Sequence, residues 1–297
     1  MLTHEVMGVF ALGVLWLNAV LVALAALARA RDLLVMRAVM KPIDPARPDG
    51  YGVLSGRLEA LAPQVTPGVA GAPLAELLVE QVGRYAAGSK RAILWHDRSH
   101  ASTIRASKLA VGDQTFEVDA ASELQARVWL DAATVAAAAA CEGRAAFEAT
   151  FPAARKAKGA ARTVCIPIVA GTTVWLVADA RREDRGIVLG ATTAAPIVVS
   201  TFDPRAWLGR RATWLILFAP IALALCAGCT ATALRPPVFD GTVSKLGGLA
   251  SFIYFLLVLP AGTRMRDLTA LPHTRGLRGR WDGPAAVAAT PNEIPKS

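Results

Sequence analysis

Three uncharged apolar runs, residues 6–28, 212–234 and 246–263, punctuate this chain of 297 residues, and each is long enough to dictate its own surroundings. The first holds 23 residues with one polar interruption, Asn18; the second holds 23 and the third 18. At about 1.5 Å of rise per residue, helices over these runs reach about 34, 34 and 27 Å, against a hydrocarbon core of about 30 Å. The pattern predicts an integral membrane protein with three transmembrane helices. Between spans one and two it leaves a mostly-β (α+β) soluble domain over residues 51–203.

The net charge of +9 invites a nucleic-acid reading, and the location of the charge argues against it. Residues 51–203 carry 16 basic and 15 acidic side chains, whereas the rest of the chain carries 16 basic and 8 acidic. The excess lies beside the spans, where it orients helices and meets anionic headgroups. No basic footprint marks a nucleic-acid face on the soluble domain. Arg outnumbers Lys 25 to 7 and Ala is abundant, a composition typical of a GC-rich bacterial genome.

The flanks set an orientation. Residues 1–5 hold no Lys or Arg, while Arg29, Arg31, Arg37 and Lys41 follow span one and Arg205, Arg210 and Arg211 precede span two. The link 235–245 holds Arg235, Lys245 and Asp240; Arg264, Arg266, Arg275, Arg278 and Arg280 follow span three. The positive-inside rule then predicts a multi-pass protein of the inner (plasma) membrane, with the N-terminus outside and the soluble domain and C-terminus cytoplasmic. A cleaved signal peptide fits the first run less well, because a basic n-region is missing and 23 residues exceed an h-region of about 7–15. The 11-residue link makes spans two and three an antiparallel hairpin. Pro220 and Pro260 are expected to kink them. Gly247, Gly248, Ala250 and Ser251 give span three a small-residue face, so spans two and three offer a route to an oligomer.

Residues 29–50 read as a juxtamembrane linker, Pro- and Gly-rich from 41 onward, and 264–297 as a basic, then disordered tail. Between them, 51–61 reads as a strand, 63–73 as a turn-rich loop, and 74–82 as either helix or strand. Residues 92–95 form a strand that ends in a polar loop. Gly112 and Asp113 mark a hairpin within 109–118. Residues 124–130 alternate, 132–158 is Ala-rich and reads as helical, and 164–169, 174–177, 186–189 and 197–201 complete about seven short strands.

The last strand carries a resemblance. Ile197, Val198 and Val199 lead into Ser200, Thr201, Phe202, Asp203, Pro204, Arg205, Ala206, Trp207 and Leu208, then Gly209, Arg210, Arg211 and an apolar run. This is similar to the end of the GIDE, or "beside a membrane", domain found between the spans of MULAN-type mitochondrial E3 ubiquitin ligases and in prokaryotic relatives. Gly56 with Leu58 resembles that domain's opening strand, and Gly71, Ala72 and Pro73 its small-x-Pro step. Phe116 to Asp119 with Ala126 to Val128 resembles its central hairpin. The resemblance implies a module beside a membrane and, by family, ubiquitin-ligase activity. That activity needs a RING with eight Cys/His zinc ligands, and after span three the chain has His273 and no Cys. Leu74 also stands where the family often has Cys, and the third span is extra to the two-span pattern.

Few residues have the types that chemistry demands. His96, Asp97 and His100 form the only ligand-like cluster; His at i and i+4 converge on a helix but not at a strand end. Cys226 and Cys229 match C-x-x-C, yet lie inside a span and read as small packing residues. Ser200 and Thr201 lack a base and read as hydroxyls capping the turn into Asp203. Asn18 reads as an interhelical hydrogen-bond partner. These residues suggest no catalytic constellation and no cofactor, with His96 and His100 as the metal candidates. The reading is a non-catalytic, membrane-anchored module whose partners are the lipid bilayer and a protein or lipid at its surface. The alternative is an enzyme, ligase-like by resemblance or a metal-dependent hydrolase using His96 and His100.

Overall fold

The computed structural model describes residues 4–61, 73–85, 93–121, 125–131, 134–135, 140–141, 161–184 and 186–234. Two long helices flank a β-rich region: α1 (His4–Val39) before it and α2 (Pro204–Ala233) after it. Between them run β1 (Lys41–Pro42), β2 (Gly50–Ala60), β3 (Ala75–Tyr85), β4 (Ile93–Ile104), β5 (Ser107–Val111) and β6 (Gln114–Val118). They are followed by β7 (Ala126–Trp129), β8 (Ala140–Cys141), β9 (Ala161–Ile168), β10 (Thr173–Glu183), β11 (Gly186–Gly190) and β12 (Ile197–Ser200). The three-helix expectation is thereby corrected: two helices, not three, are long and apolar enough to cross a membrane among the described residues. The run 246–263 lies outside the described residues, as do the link 235–245 and the tail. The described residues divide into two compact units, the helix pair (to 39 and from 204) and a β unit over 40–203.

The helices pair antiparallel. The indole Nε1 of Trp16 donates to the Thr230 hydroxyl at 2.9 Å, while at the other end Arg37 lies against Gly209. The contact stripe advances by steps of three and four residues. On α2 it comprises Leu208, Ala212, Leu215, Ala219, Ala222 and Cys226; on α1 it comprises Leu15, Ala19, Ala23, Ala26, Ala30 and Leu33. Such spacing is the seam of a two-helix coil, and its alanines let the backbones approach closely. Residues 29–39 continue α1, so the first part of the expected linker is helix. Asn18 does not bridge the helices; its amide donates to its own helix at Val14 O, 2.8 Å away. The helix α2 runs unbroken through Pro220.

In the β unit, β2, β5, β6, β11 and β10 close into a ring, each hydrogen-bonded to the next and β10 back to β2. All neighbours are antiparallel except β6 and β11. This is a five-stranded Greek-key barrel of OB-like kind. The strand β2 belongs to both halves of the ring, pairing with β10 over Gly50 to Arg57 and with β5 over Arg57 to Ala60. The sheets meet at Gly56, where an added Cβ would fall onto the Ala110 carbonyl and within 2.8 Å of Val111. Only glycine allows that approach. The tight β5–β6 hairpin turns at Gly112, with φ of 59°. Inside the barrel lie Leu58, Leu109, Phe116, Val118, Val174, Leu176 and Leu189. Beyond β10 the sheet continues through β12 to β7.

A second sheet, ordered β4-β3-β9-β8, adds Leu77, Val79, Ile104, Val164, Ile166 and Ile168 to the same core. Here the strand count and two local readings change. The segment after Trp95 is no loop, because β4 runs straight on to Ile104. Ala140–Cys141, inside the Ala-rich stretch expected to be helical, is a strand paired with β9. Most of that stretch lies outside the described residues. The ambiguous 74–82 segment is strand.

Candidate functional site

The His96, Asp97, His100 cluster lies on β4, and pairing register decides what it can do. Paired residues in a ladder point to the same face, and neighbours along a strand alternate. His96 pairs with Val82 and His100 with Val79, three residues apart on β3 and therefore on opposite faces. The cause is a bulge between Glu80 and Gln81, where β4 accommodates Arg98 as an extra residue. The two imidazoles do not converge on one metal ion. Among the described residues no group of three His, Cys, Asp or Glu could hold one.

What gathers around Asp97 instead is a polar row crossing three strands. The Gln81 amide donates to Asp97 Oδ1 at 2.6 Å, and Arg162 Nε donates to Gln81 Oε1 at 2.9 Å. The Arg162 guanidinium lies over the Trp95 ring, 4.4 Å from its centroid. Gln81 is fully buried, so both of its amide atoms must find partners, and they do. Burial lowers the Arg162 pKa and Asp97 opposes that shift. Surrounding protein likewise draws water from His100 and lowers its pKa below the ordinary histidine value, again opposed by Asp97. The row joins β4, β3 and β9 but presents no activated nucleophile. Sequence reading missed it because its members are up to 81 residues apart and share no local pattern.

On the other face of this sheet, Glu80 accepts from Ser99 at 3.3 Å and pairs with Arg98 at 3.5 Å. Glu76 accepts from Thr103 at 2.9 Å. The Ser200 hydroxyl donates to Phe202 O at 2.6 Å, and Thr201 Oγ1 accepts from the Asp131 amide at 2.9 Å. Both hydroxyls hold the turn after β12, as their sequence position suggests. On the barrel, the exposed or half-exposed polar positions of the β5–β6 ribbon are Lys108, Gln114, Thr115 and Glu117, while its aromatic side chain, Phe116, is buried and offers no surface on which a base could stack.

The helix pair has the most distinctive surface. Its outward positions are Val9, Phe10, Leu17, Leu21, Leu24, Leu27, Ile216, Leu217, Ile221 and Leu225, each at least 43% exposed. Cys226 packs against Leu15 and Ala19, and neither it nor Cys229 forms a disulfide. A shallow apolar groove of about 450 Å³ runs along Ile221, Ala224, Leu225, Gly228, Cys229 and Thr232. The end where α1 finishes and α2 begins holds Arg29, Arg31, Arg37, Arg205, Arg210 and Arg211, with Asp32 on α1 and Asp203 just before α2. Compared with known proteins, the chain matches no family model, no curated protein and no solved structure.

Proposed function

We infer that this chain is a membrane-anchored, non-catalytic binding module. In this reading α1 and α2 cross a bacterial plasma membrane as an antiparallel hairpin, and the β unit is tethered by both its ends to engage a protein or lipid at the cytoplasmic surface. The observation that carries it is the inverted packing of the helix pair, with alanine inside and leucine, isoleucine and valine outside. In water that arrangement wastes the hydrophobic effect; in lipid, where tails are as apolar as leucine, close backbone packing is what holds helices together. The arginines at one end support the orientation. The GIDE resemblance of residues 51–211 supports the same reading.

Two measurements test it. Full-length protein in membranes should resist extraction at alkaline pH, and release into the supernatant would overturn the anchor. A reporter active only outside the cytoplasm, fused after Asp203, should stay inactive; activity would invert the topology.

A further inference from the structure

The end of the helix pair shared by the α1 C-terminus and the α2 N-terminus mixes two kinds of exposed side chain that rarely belong together. Arg29, Arg31, Arg37 and Arg210 are exposed there, and between them on α1 stand Leu34, Val35, Met36 and Val39, each 40–56% exposed. Arg205 and Arg211 are half-exposed at the same end, and the Arg211 guanidinium lies 5.7 Å from the Trp207 ring centroid. Gly209 has a specific part. A Cβ there would stand 2.9 Å from Arg37 Nη1, so the missing side chain lets the guanidinium of α1 lie against the backbone of α2, beside Arg210. Cations from two helices are thus brought together; of the acids at this end, Asp32 pairs with Arg29 at 3.7 Å and Asp203 immediately precedes α2. The exposed like charges of Arg37 and Arg210, held side by side, favour a bound anion.

We propose that this end is a binding collar for the phosphate headgroups of anionic phospholipids. The interleaving of cation and aliphatic side chain selects this partner. Aliphatic groups dip into the boundary between headgroups and acyl chains while arginine stems run outward to phosphates, which the guanidinium fork binds with two parallel hydrogen bonds. An acidic protein or a nucleic acid would satisfy the arginines and leave Leu34, Val35, Met36 and Val39 in water. The position fits: Trp214, 63% exposed, lies one turn past Arg210 and Arg211, at the depth where indoles favour the interface. This inference rests on the bilayer reading above and names the lipid class it engages.

The test uses the full chain in a Trp16→Phe background, which leaves Trp214 as the well-exposed tryptophan of the helix pair. It is reconstituted in phosphatidylcholine vesicles containing dibrominated phosphatidylglycerol, or in the reverse mixture with the bromine on phosphatidylcholine. Each arginine near an anionic surface contributes on the order of fivefold in association. Quenching should therefore favour phosphatidylglycerol at least about fivefold at low salt. In about 1 M salt, where the Debye length is about 3 Å, that preference should largely vanish. The R37Q/R210Q pair should lower it at an unchanged thermal midpoint, and Gly209→Ala should lower it by displacing Arg37. Equal quenching by both lipids, or a preference untouched in R37Q/R210Q, overturns the collar while leaving the anchor standing. Preference abolished by millimolar glycerol phosphate would reassign the site to a soluble anion. No quenching by either lipid overturns the bilayer reading and this one with it.

Discussion

The two units of this chain bury opposite things. In the β unit, Leu58, Leu109, Phe116, Leu176 and Leu189 are inside, and the exposed positions carry Lys, Glu, Gln and Thr. In the helix pair, Ala19, Ala26, Ala212, Ala219 and Ala222 are inside, and Leu, Ile, Val and Phe cover the outside. One chain, one set of side chains, two solutions: the first is what water selects and the second is what a hydrocarbon solvent selects. The side chains that stabilise each unit therefore sit on opposite surfaces, and paired substitutions should expose the difference.

The largest expected effect is on the β unit. Leu58→Ala removes a fully buried side chain from the barrel and should cost about 2–5 kcal/mol of folding stability, read from denaturant titration of the detergent-solubilised chain. Leu21→Ala on the outward face of α1, 55% exposed, should change the same measurement by less than about 0.5 kcal/mol. Comparable losses at both positions would abolish the contrast. Next in size is Leu21→Arg, which puts a charge near the middle of the apolar surface. It should cost about 2.5–3.5 kcal/mol of membrane insertion and shift protein into the alkaline-extractable fraction. Smaller again, Ala219→Leu overfills the seam and should lower stability by about 1–3 kcal/mol, whereas leucine at exposed Ala224's neighbour positions is already native as Leu225. A neutral Ala219→Leu would mean the helices are not held at alanine distance.

How much of this could be read beforehand follows the range of the interactions. The hairpin at Gly112 and Asp113 was legible because its cause is local, a residue tolerant of positive φ between alternating strands. Barrel closure was not, since β2 and β10 pair Arg57 with Thr173 and nothing near either residue announces the other. That the first part of the juxtamembrane linker, 29–39, is helical has a physical reason. Arg29, Arg31 and Asp32 end the uncharged run, but Ala30 and Leu33 continue the buried stripe, so the helix outlasts its apolar stretch. Ala140 and Cys141 misled through helix propensity, which pairing with β9 overrides. At the candidate site, the spacing of His96 and His100 was visible, whereas the bulge that separates them depends on register against β3.

That bulge leads to the smallest expected effect. His100 lies on the same face of the sheet as Asp97 and Gln81; its side chain is exposed at the surface, and partial loss of hydration holds its pKa below the ordinary value of about 6.5. The unfolded chain therefore binds a proton at a pH where the folded chain does not. Stability contributed by neutral His100 is fully present above about 6.5 and declines as pH falls from there toward the folded value, with no further change below it. The thermal midpoint of the wild type should thus drop slightly between pH 7.5 and pH 5.0, and His100→Gln should remove that part of the drop. Asp97 attracts a proton to His100, so Asp97→Asn should deepen the acid loss instead of relieving it. If His100→Gln loses as much as the wild type on acidification, the group responsible lies elsewhere. If Asp97→Asn flattens the profile, the carboxylate and not desolvation sets the imidazole's behaviour.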